Sequence, residues 1–282
     1  LRAAPPAQAR HERSAAGSSS RDAREEAMRA IPYNELDRAA RIKVGAVLAN
    51  TTIFRHLPAT TIECDANLFV FLVEHPDLVV NIWEALGVSE VELRRTGDGT
   101  FEASDKAGTR GRLEYLYVGP QTHLVYADGS YTGSLLSRPV RARCVLLMRS
   151  HYAHTNSGRP VVRSSIDAFV HLENVGVGML AKTFQPLVTN AADHNFRETA
   201  AFLGSVHQAA VMNYSGMQRL AEKLTKVAVA DRQEFSDLTT QIAVQAALAQ
   251  AGARPATASA TRPSTATRPS TAVHPAQRFR KR

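Results

Sequence analysis

The sequence predicts one α+β domain, in which a curved antiparallel sheet is covered by helices from the later part of the chain. Segments between residues 88 and 172 alternate apolar and polar side chains and are separated by short turns. This pattern indicates antiparallel pairing, because parallel crossovers need longer connections. Apolar residues recur at helical spacing before and after this region. Polar, low-complexity segments lie at both ends.

Four regions are expected along the chain. Residues 1–30 are rich in Ala, Arg and Ser and predict a disordered arm, because they bury too little apolar surface to offset chain entropy. The α+β domain is expected at 31–226. Apolar residues three to four apart predict an amphipathic helix at 227–250. Residues 251–282, rich in Pro, Thr, Ser and Arg and containing a repeated six-residue unit, predict a disordered basic tail.

The early part of the domain carries clear boundary residues. Asn34 is a suitable N-cap for a first helix, and residues 60–64 read as a short strand. Asp65 can cap a second helix, Pro76 separates it from a third, and Gly87 ends the third. Beyond this point the predicted strands are 88–95, 100–104, 110–118, 122–127, 130–136, 141–151 and 161–172.

Helical spacing returns in the last third of the domain. One apolar stripe follows Asn174, a second follows Asp193, and Ser215-Gly216 interrupts the second. The segment at Gly176 also reads G-x-G-x-x-A. We predict no cofactor there, because a dinucleotide site needs a second parallel strand with an acidic residue about twenty positions later.

The order of these elements resembles the helix-grip fold of the START-like (SRPBCC) superfamily. The resemblance is carried by the strand at 60–64, the helices at 67–86, the strands at 88–172 and the helical stripes at 175–210. It implies a curved antiparallel sheet wrapped around a long C-terminal helix, with short N-terminal helices. It also implies an apolar cavity that binds lipids, polyketides, hormones or aromatics, with catalysis in some members only. Pro186 departs from the pattern because it splits the last helix.

Four residues are the candidates for lining such a cavity. Tyr115 and Tyr117 alternate onto one predicted face, and cross-strand pairing can bring Tyr126 beside them. Aromatic rings with hydroxyl tips suit a mixed apolar pocket, but equally suit ordinary cross-strand packing. His207 lies on an apolar helical stripe, where it is either a ligand-facing group or a core histidine with one hydrogen-bond partner.

Asp193 and His194 are the candidates for catalysis. His194 could act as a general base oriented by Asp193. The alternative interpretation is that Asp193 caps the helix and His194 is exposed in its first turn. No motif specifies a nucleophile, so whether the protein is an enzyme stays open.

The charge argues against a nucleic-acid-binding domain. The chain has 34 basic and 26 acidic residues, and the segment 251–282 holds seven of the basic ones and no acid. The remainder has 27 basic against 26 acidic residues and is therefore nearly neutral. A dedicated nucleic-acid site would place its positive charge on a folded face, so we predict none, and expect the tail to contact an acidic surface instead.

Several other site classes are not predicted. His151 and His154 are spaced to opposite sides of a strand and lack a third ligand, so no metal site is expected. Cys64 and Cys144 match no metal spacing and read as small buried hydrophobes. No apolar run approaches the ~20 residues of a membrane helix. The chain begins with Leu1 rather than Met, so the compartment is open, with the cytoplasm favoured and export possible.

The sequence thus favours a domain that binds an apolar or amphipathic small molecule, lipid-like or aromatic, without a recognisable catalytic motif. One alternative is a polyketide-cyclase-like or hydrolase-like enzyme with His194 or His207 as its acid or base. Another is a non-catalytic interaction module with a basic tail.

Overall fold

A computed structural model describes residues 17–132, 139–173, 175–176 and 191–253. The helices are α1 (Arg21–Arg29), α2 (Arg38–Ala49), α3 (Ala66–Glu74), α4 (Pro76–Ala85), α5 (Ala192–Met212), α6 (Tyr214–Lys223) and α7 (Val229–Ala253), with a 3-10 turn at Tyr33–Glu35. The strands are β1 (Ile53–His56), β2 (Thr60–Glu63), β3 (Glu92–Gly97), β4 (Thr100–Ser104), β5 (Thr109–Val118), β6 (Thr122–Tyr131), β7 (Val140–His154) and β8 (Pro160–Leu172).

The eight described strands form one antiparallel sheet. Its order is β1-β8-β7-β6-β5-β4-β3, and β2 also pairs with β8. From β3 to β8 each strand pairs with its neighbour in sequence, as the short predicted turns require. The curved antiparallel sheet, the long helix α5 that follows it and the short N-terminal helices confirm the predicted α+β class.

Helices α3, α4 and α5 cover one face of the sheet, which we call the front face. Asp65 caps α3 as predicted, since its side chain accepts hydrogen bonds from the backbone N–H groups of Asn67 and Leu68. The apolar stripe of α3 then buries Leu68 and Phe69 against β8 and α5. Each such side chain contributes roughly 1.5–3 kcal/mol by leaving water, so this packing sets where the helices lie over the sheet.

Helices α1 and α2 cover the opposite face, which we call the back face. Val44 and Val47 of α2 are fully buried there. Their partners on the sheet share one side of the alternating strands, as expected for a period of two. These partners are Leu124, Val145, Leu147, Phe169 and Phe54.

Residues 18–29 differ from the expected disordered arm. Ser20 caps α1 by accepting a hydrogen bond from the Ala23 N–H at 3.2 Å, and Ser18 forms a β-bridge with His56. Ala27 is 1% exposed within the back core. Disorder was predicted from the polar composition of this segment. The helix α1 is nevertheless part of the fold, because it buries one narrow stripe of side chains while its other positions face water.

Helix α7 belongs to the front core, although the domain was expected to end at residue 226. Phe235 is fully buried and Ile242 nearly so, both in the same cluster as α3 and α5. The side-chain amide of Gln218 on α6 also donates to the Thr240 hydroxyl at 3.2 Å. The amphipathic helix expected at 227–250 therefore docks on the domain.

Two local predictions in the first half need correction. The first long helix is capped by Asp37, which accepts from the Ala40 N–H at 2.7 Å, whereas Asn34 lies in the 3-10 turn. Strand β1 was not predicted, because its two apolar residues, Ile53 and Phe54, are adjacent and show no alternation. The strand predicted at 88–95 lies at Glu92–Gly97.

The break predicted between the strands 122–127 and 130–136, at Asp128-Gly129, is wrong, because β6 runs through both residues. Asp128 pairs with Arg112 and Gly129 with Gly111 across to β5. A Cβ atom added at Gly129 would lie 2.8 Å from the Arg110 carbonyl oxygen. Glycine is therefore needed here for close approach of two strands and not for a turn.

Some predictions fall outside the described residues. They are most of the strand at 130–136, the helical stripe after Asn174 with its Gly-rich segment and Pro186, and the basic tail from residue 254 onwards.

Replacing Ala27 with Glu tests whether α1 is part of the fold. We expect Ala27→Glu to lower the free energy of unfolding by about 2–4 kcal/mol, because it buries a carboxylate without a partner. Ala46→Glu, at an exposed position of α2, should change it by less than about 0.5 kcal/mol. Chemical denaturation of the full chain measures both values, and equal effects of the two changes would contradict the packing of α1.

Candidate functional site

A cavity of about 330 Å³ lies between the front face of the sheet and helices α3, α4 and α5. From the sheet, the lining residues are Ile62, Leu113, Tyr115, His123, Val125, Leu146, Met148, Ser164 and Ile166. From the helical side, they are Phe69, Leu72, Val73, Pro76, Val79, Val80, Trp83, Phe196, Thr199, Ala200 and Leu203. The volume lies at the lower end of the range for small-molecule sites.

The sequence produces this cavity through two periodicities. On β6 and β7, alternate residues such as Val125 and Leu146 point to the front face, as the strand period of two requires. On α5, Phe196, Ala200 and Leu203 recur at helical spacing and point back towards the sheet. The small side chain of Ala200 sits between two larger ones, which leaves room between helix and sheet.

The lining is almost entirely apolar, with four polar side chains. Ser164 and Thr199 contribute hydroxyl groups, Tyr115 a phenol and His123 an imidazole. The Ser150 hydroxyl donates to the Ser164 hydroxyl at 3.3 Å. A mostly apolar lining with a few placed polar groups is typical of a site that binds small molecules.

Tyr115 holds the sheet to the end of helix α3. Its hydroxyl donates a hydrogen bond to the Val73 carbonyl oxygen, and its ring packs edge-on against Phe101 at 6.0 Å between centroids. Burial raises the pKa of the Tyr115 phenol well above its usual range, and the nearby Glu74 carboxylate adds to the rise. The hydroxyl therefore stays protonated and serves as a donor to the backbone.

His123 is fully buried, and its environment is polar on one side only. Its Nε2 atom lies 3.1 Å from Oε1 of Glu74, and its ring meets that of Tyr115 edge-on at 6.4 Å. Its Nδ1 atom has no hydrogen-bond partner within the described residues. His123 was not predicted as a site residue, because it is a single histidine on a strand and its partner Glu74 is 49 residues away.

An ion-pair network fixes the backbone beside this corner. Arg95 on β3 lies 3.3 Å from the nearly buried carboxylate of Asp77 and 4.7 Å from the Phe101 ring centroid. It also donates to the Glu74 carbonyl oxygen at 3.4 Å. These contacts tie the junction of α3 and α4 to the sheet, and so position the Glu74 side chain.

Of the three candidate tyrosines, Tyr115 alone lines the cavity, and the prediction that Tyr117 shares its face is wrong. A bulge at Leu116 shifts the register, so that Tyr115 pairs with Val125 but Tyr117 pairs with Leu124. One extra residue reverses which face the following side chains take. Tyr117 therefore packs on the back core.

Tyr126 also lies on the back face. It pairs with Glu114 and not with Tyr115, packs on the back core, and lies with its ring centroid 5.7 Å from the Lys43 ammonium of α2. The Lys43 ammonium is itself 2.5 Å from the Glu114 carboxylate. This arrangement is ordinary packing, the alternative role that the sequence left open for the tyrosines.

His207 is buried on α5 but is not among the residues that border the cavity. Its Nδ1 atom accepts a hydrogen bond from the Asp65 N–H at 3.3 Å, which links α5 to the start of α3. This is the core histidine with one partner that the sequence allowed. Burial lowers the pKa of His207, and the Asp65 and Glu63 carboxylates oppose this in part.

Asp193 and His194 are not among the residues that border the cavity. Asp193 forms an ion pair with Arg55 of β1, with Oδ1 at 2.9 Å from Nε. His194 is exposed in the first turn of α5, as its alternative interpretation states. The capping role considered for Asp193 is not observed, since the N-cap position of α5 is Ala191.

The described residues contain no group of three or more His, Cys, Asp or Glu side chains placed to hold a metal ion. Both cysteines are free, and burial raises the pKa of each thiol to about 12, which makes them poor nucleophiles. Among the described helices, none is long and apolar enough to cross a membrane.

No protein-family model matches the chain, and no curated protein matches it in sequence. A conserved protein from Geobacillus kaustophilus matches in structure with 9% identity and a TM-score of 0.33, covering 49% of this chain and 88% of its own. A hypothetical protein from Helicobacter pylori has 13% identity, coverages of 53% and 86%, and a TM-score of 0.33. Norcoclaurine synthase from Thalictrum flavum has 18% identity, coverages of 51% and 86%, and a TM-score of 0.29. These sequence identities and TM-scores are too low to assign the chain to a family.

Because His207 is buried, we expect the protein to lose stability in acid. The folded state favours neutral His207, whereas the unfolded chain binds a proton with a pKa of about 6.5. The free energy of unfolding should therefore fall as the pH drops through about 6.5. Urea denaturation between neutral and mildly acidic pH should show a smaller fall for His207→Gln, and an unchanged fall for the exposed-site control His194→Gln. Equal pH dependence in all three proteins would contradict the role given to burial.

Proposed function

We propose that this protein binds an apolar or amphipathic small molecule, lipid-like or aromatic, in the cavity on the front face. The observation that carries the proposal is the cavity itself, about 330 Å³ in volume with four polar side chains in an otherwise apolar lining. Water gains little in such a space, because it needs two to four polar partners. An apolar ligand would bury both its own surface and that of the lining.

The lining also narrows the class of ligand. No Lys, Arg, Asp or Glu side chain borders the cavity among the described residues, so a charged group would lose its hydration without an ionic partner. A ligand that carries a charge must therefore keep it at the mouth and place its apolar part inside. The volume favours two or three aromatic rings or a short acyl chain over a two-chain lipid.

The resemblance to the START-like superfamily stays part of this proposal. The cavity between the curved sheet and the long helix α5 supports this resemblance on architecture alone. The two histidines named for the enzyme alternative, His194 and His207, do not border the cavity in the described structure. The proposed contact of the basic tail with an acidic surface concerns residues outside the described part and stays a prediction.

The chain's single tryptophan gives a direct assay, because Trp83 lines the cavity. We expect the full chain to bind the dye ANS and the fatty acid decanoate, with energy transfer from Trp83 to bound ANS and displacement of ANS by decanoate. Val125→Phe fills the cavity and should weaken ANS binding at least about 10-fold. Val118→Phe adds the same volume at an exposed position of β5 and should leave binding unchanged.

Two results would contradict the proposal. One is no binding of ANS or decanoate by a chain whose cooperative thermal unfolding shows that it is folded. The other is equal weakening by Val125→Phe and Val118→Phe, since a site elsewhere on the surface would not distinguish them.

A further inference from the structure

A fully buried histidine borders the cavity with one ring nitrogen unpaired. His123 has no exposed surface, lines the cavity, and has no described hydrogen-bond partner at Nδ1. Buried polar atoms without a partner are uncommon in folded proteins, and each one needs a physical explanation.

Glu74 determines which ring nitrogen of His123 carries the proton. Its Oε1 atom lies 3.1 Å from His123 Nε2, and a carboxylate only accepts hydrogen bonds. The proton of the neutral ring therefore sits on Nε2 and is donated to Glu74. This leaves Nδ1 with a lone pair and makes it an acceptor.

The neighbouring polar group does not supply the missing donor. The one hydroxyl hydrogen of Tyr115 is donated to the Val73 carbonyl oxygen, so the Tyr115 hydroxyl has no second hydrogen for His123. The Glu74 side chain retains 32% exposure, so its carboxylate is partly in contact with solvent. The pair thus joins a buried acceptor on a residue of the cavity lining to a partly exposed carboxylate.

We propose that His123 Nδ1 accepts a hydrogen bond from a hydroxyl group of the ligand, so that the cavity selects phenols and alcohols over apolar molecules without a donor. His123 would be a specificity-determining residue, and Glu74 would be the residue that positions it. The inference rests on the proposed function, because it requires a ligand in the cavity. It adds the chemical group by which the ligand is recognised.

The test compares two ligands of nearly the same size, 2-naphthol and 2-methoxynaphthalene, of which the first alone carries a hydroxyl donor. Equilibrium dialysis against the full chain measures the affinity of each. We expect 2-naphthol to bind about 10-fold more tightly, because the methyl ether leaves Nδ1 buried and unpaired. In the His123→Phe variant, the two affinities should agree within about twofold.

His207→Phe is the matched control, since it replaces another buried histidine on the front side that does not border the cavity. It should retain the preference for 2-naphthol. Glu74→Leu provides a second variant should His123→Phe not fold. Without the Glu74 carboxylate, the neutral imidazole can carry its proton on either ring nitrogen. We therefore expect Glu74→Leu to reduce the preference for 2-naphthol severalfold while the affinity for 2-methoxynaphthalene stays the same.

Nitrogen-15 NMR of the imidazole separates this role from a purely structural one. The His123 Nδ1 resonance should shift on addition of 2-naphthol and not on addition of 2-methoxynaphthalene. Equal affinity of the wild-type chain for the two compounds would overturn the inference and leave the cavity proposal standing. If neither compound binds and ANS and decanoate also fail, the cavity proposal falls, and this inference falls with it.

Discussion

Both faces of the sheet carry large apolar side chains, and this constraint determines the rest of the architecture. Phe169 and Leu147 point to the back face, while Val162 and Leu146 point to the front. A sheet that is apolar on both sides needs two covering layers. The helices α1 and α2 form one layer, and α3, α4, α5 and α7 form the other.

The two layers pack in different ways. On the back, α2 packs directly onto the sheet, with Val44 and Val47 fully buried. On the front, a cavity bordered by Ala200 lies between α5 and the sheet. The front layer therefore combines a solid core at α7, around Phe235, with a cavity near the junction of α3 and α4.

Sequence patterns were informative where a local rule operates. The N-cap at Asp65, the helix break at Pro76 and the alternation on β7 and β8 each depend on a few neighbouring residues, and the structure contains all three. The bulge at Leu116 was not predictable in this way, because it depends on how β5 fits β6. That single extra residue separates Tyr117 from Tyr115.

The candidate site was predictable in kind but not in its residues. Tyr115 was found because aromatic side chains at alternate strand positions suit a cavity. His123 and Glu74 were missed because their pairing depends on the contact between α3 and β6, two elements far apart in sequence. His207 and Asp193 stand in polar or amphipathic contexts that suggested chemistry, but each completes a tertiary contact instead.

The separation of the two layers along the chain has a consequence for synthesis on the ribosome. The back layer precedes the sheet, so its helices are available as soon as the strands emerge. The front layer is divided, since α3 and α4 come before most strands whereas α5 and α7 follow them all. Part of the apolar front face therefore stays uncovered until α5 has been translated, so apolar surface is exposed to water for that interval.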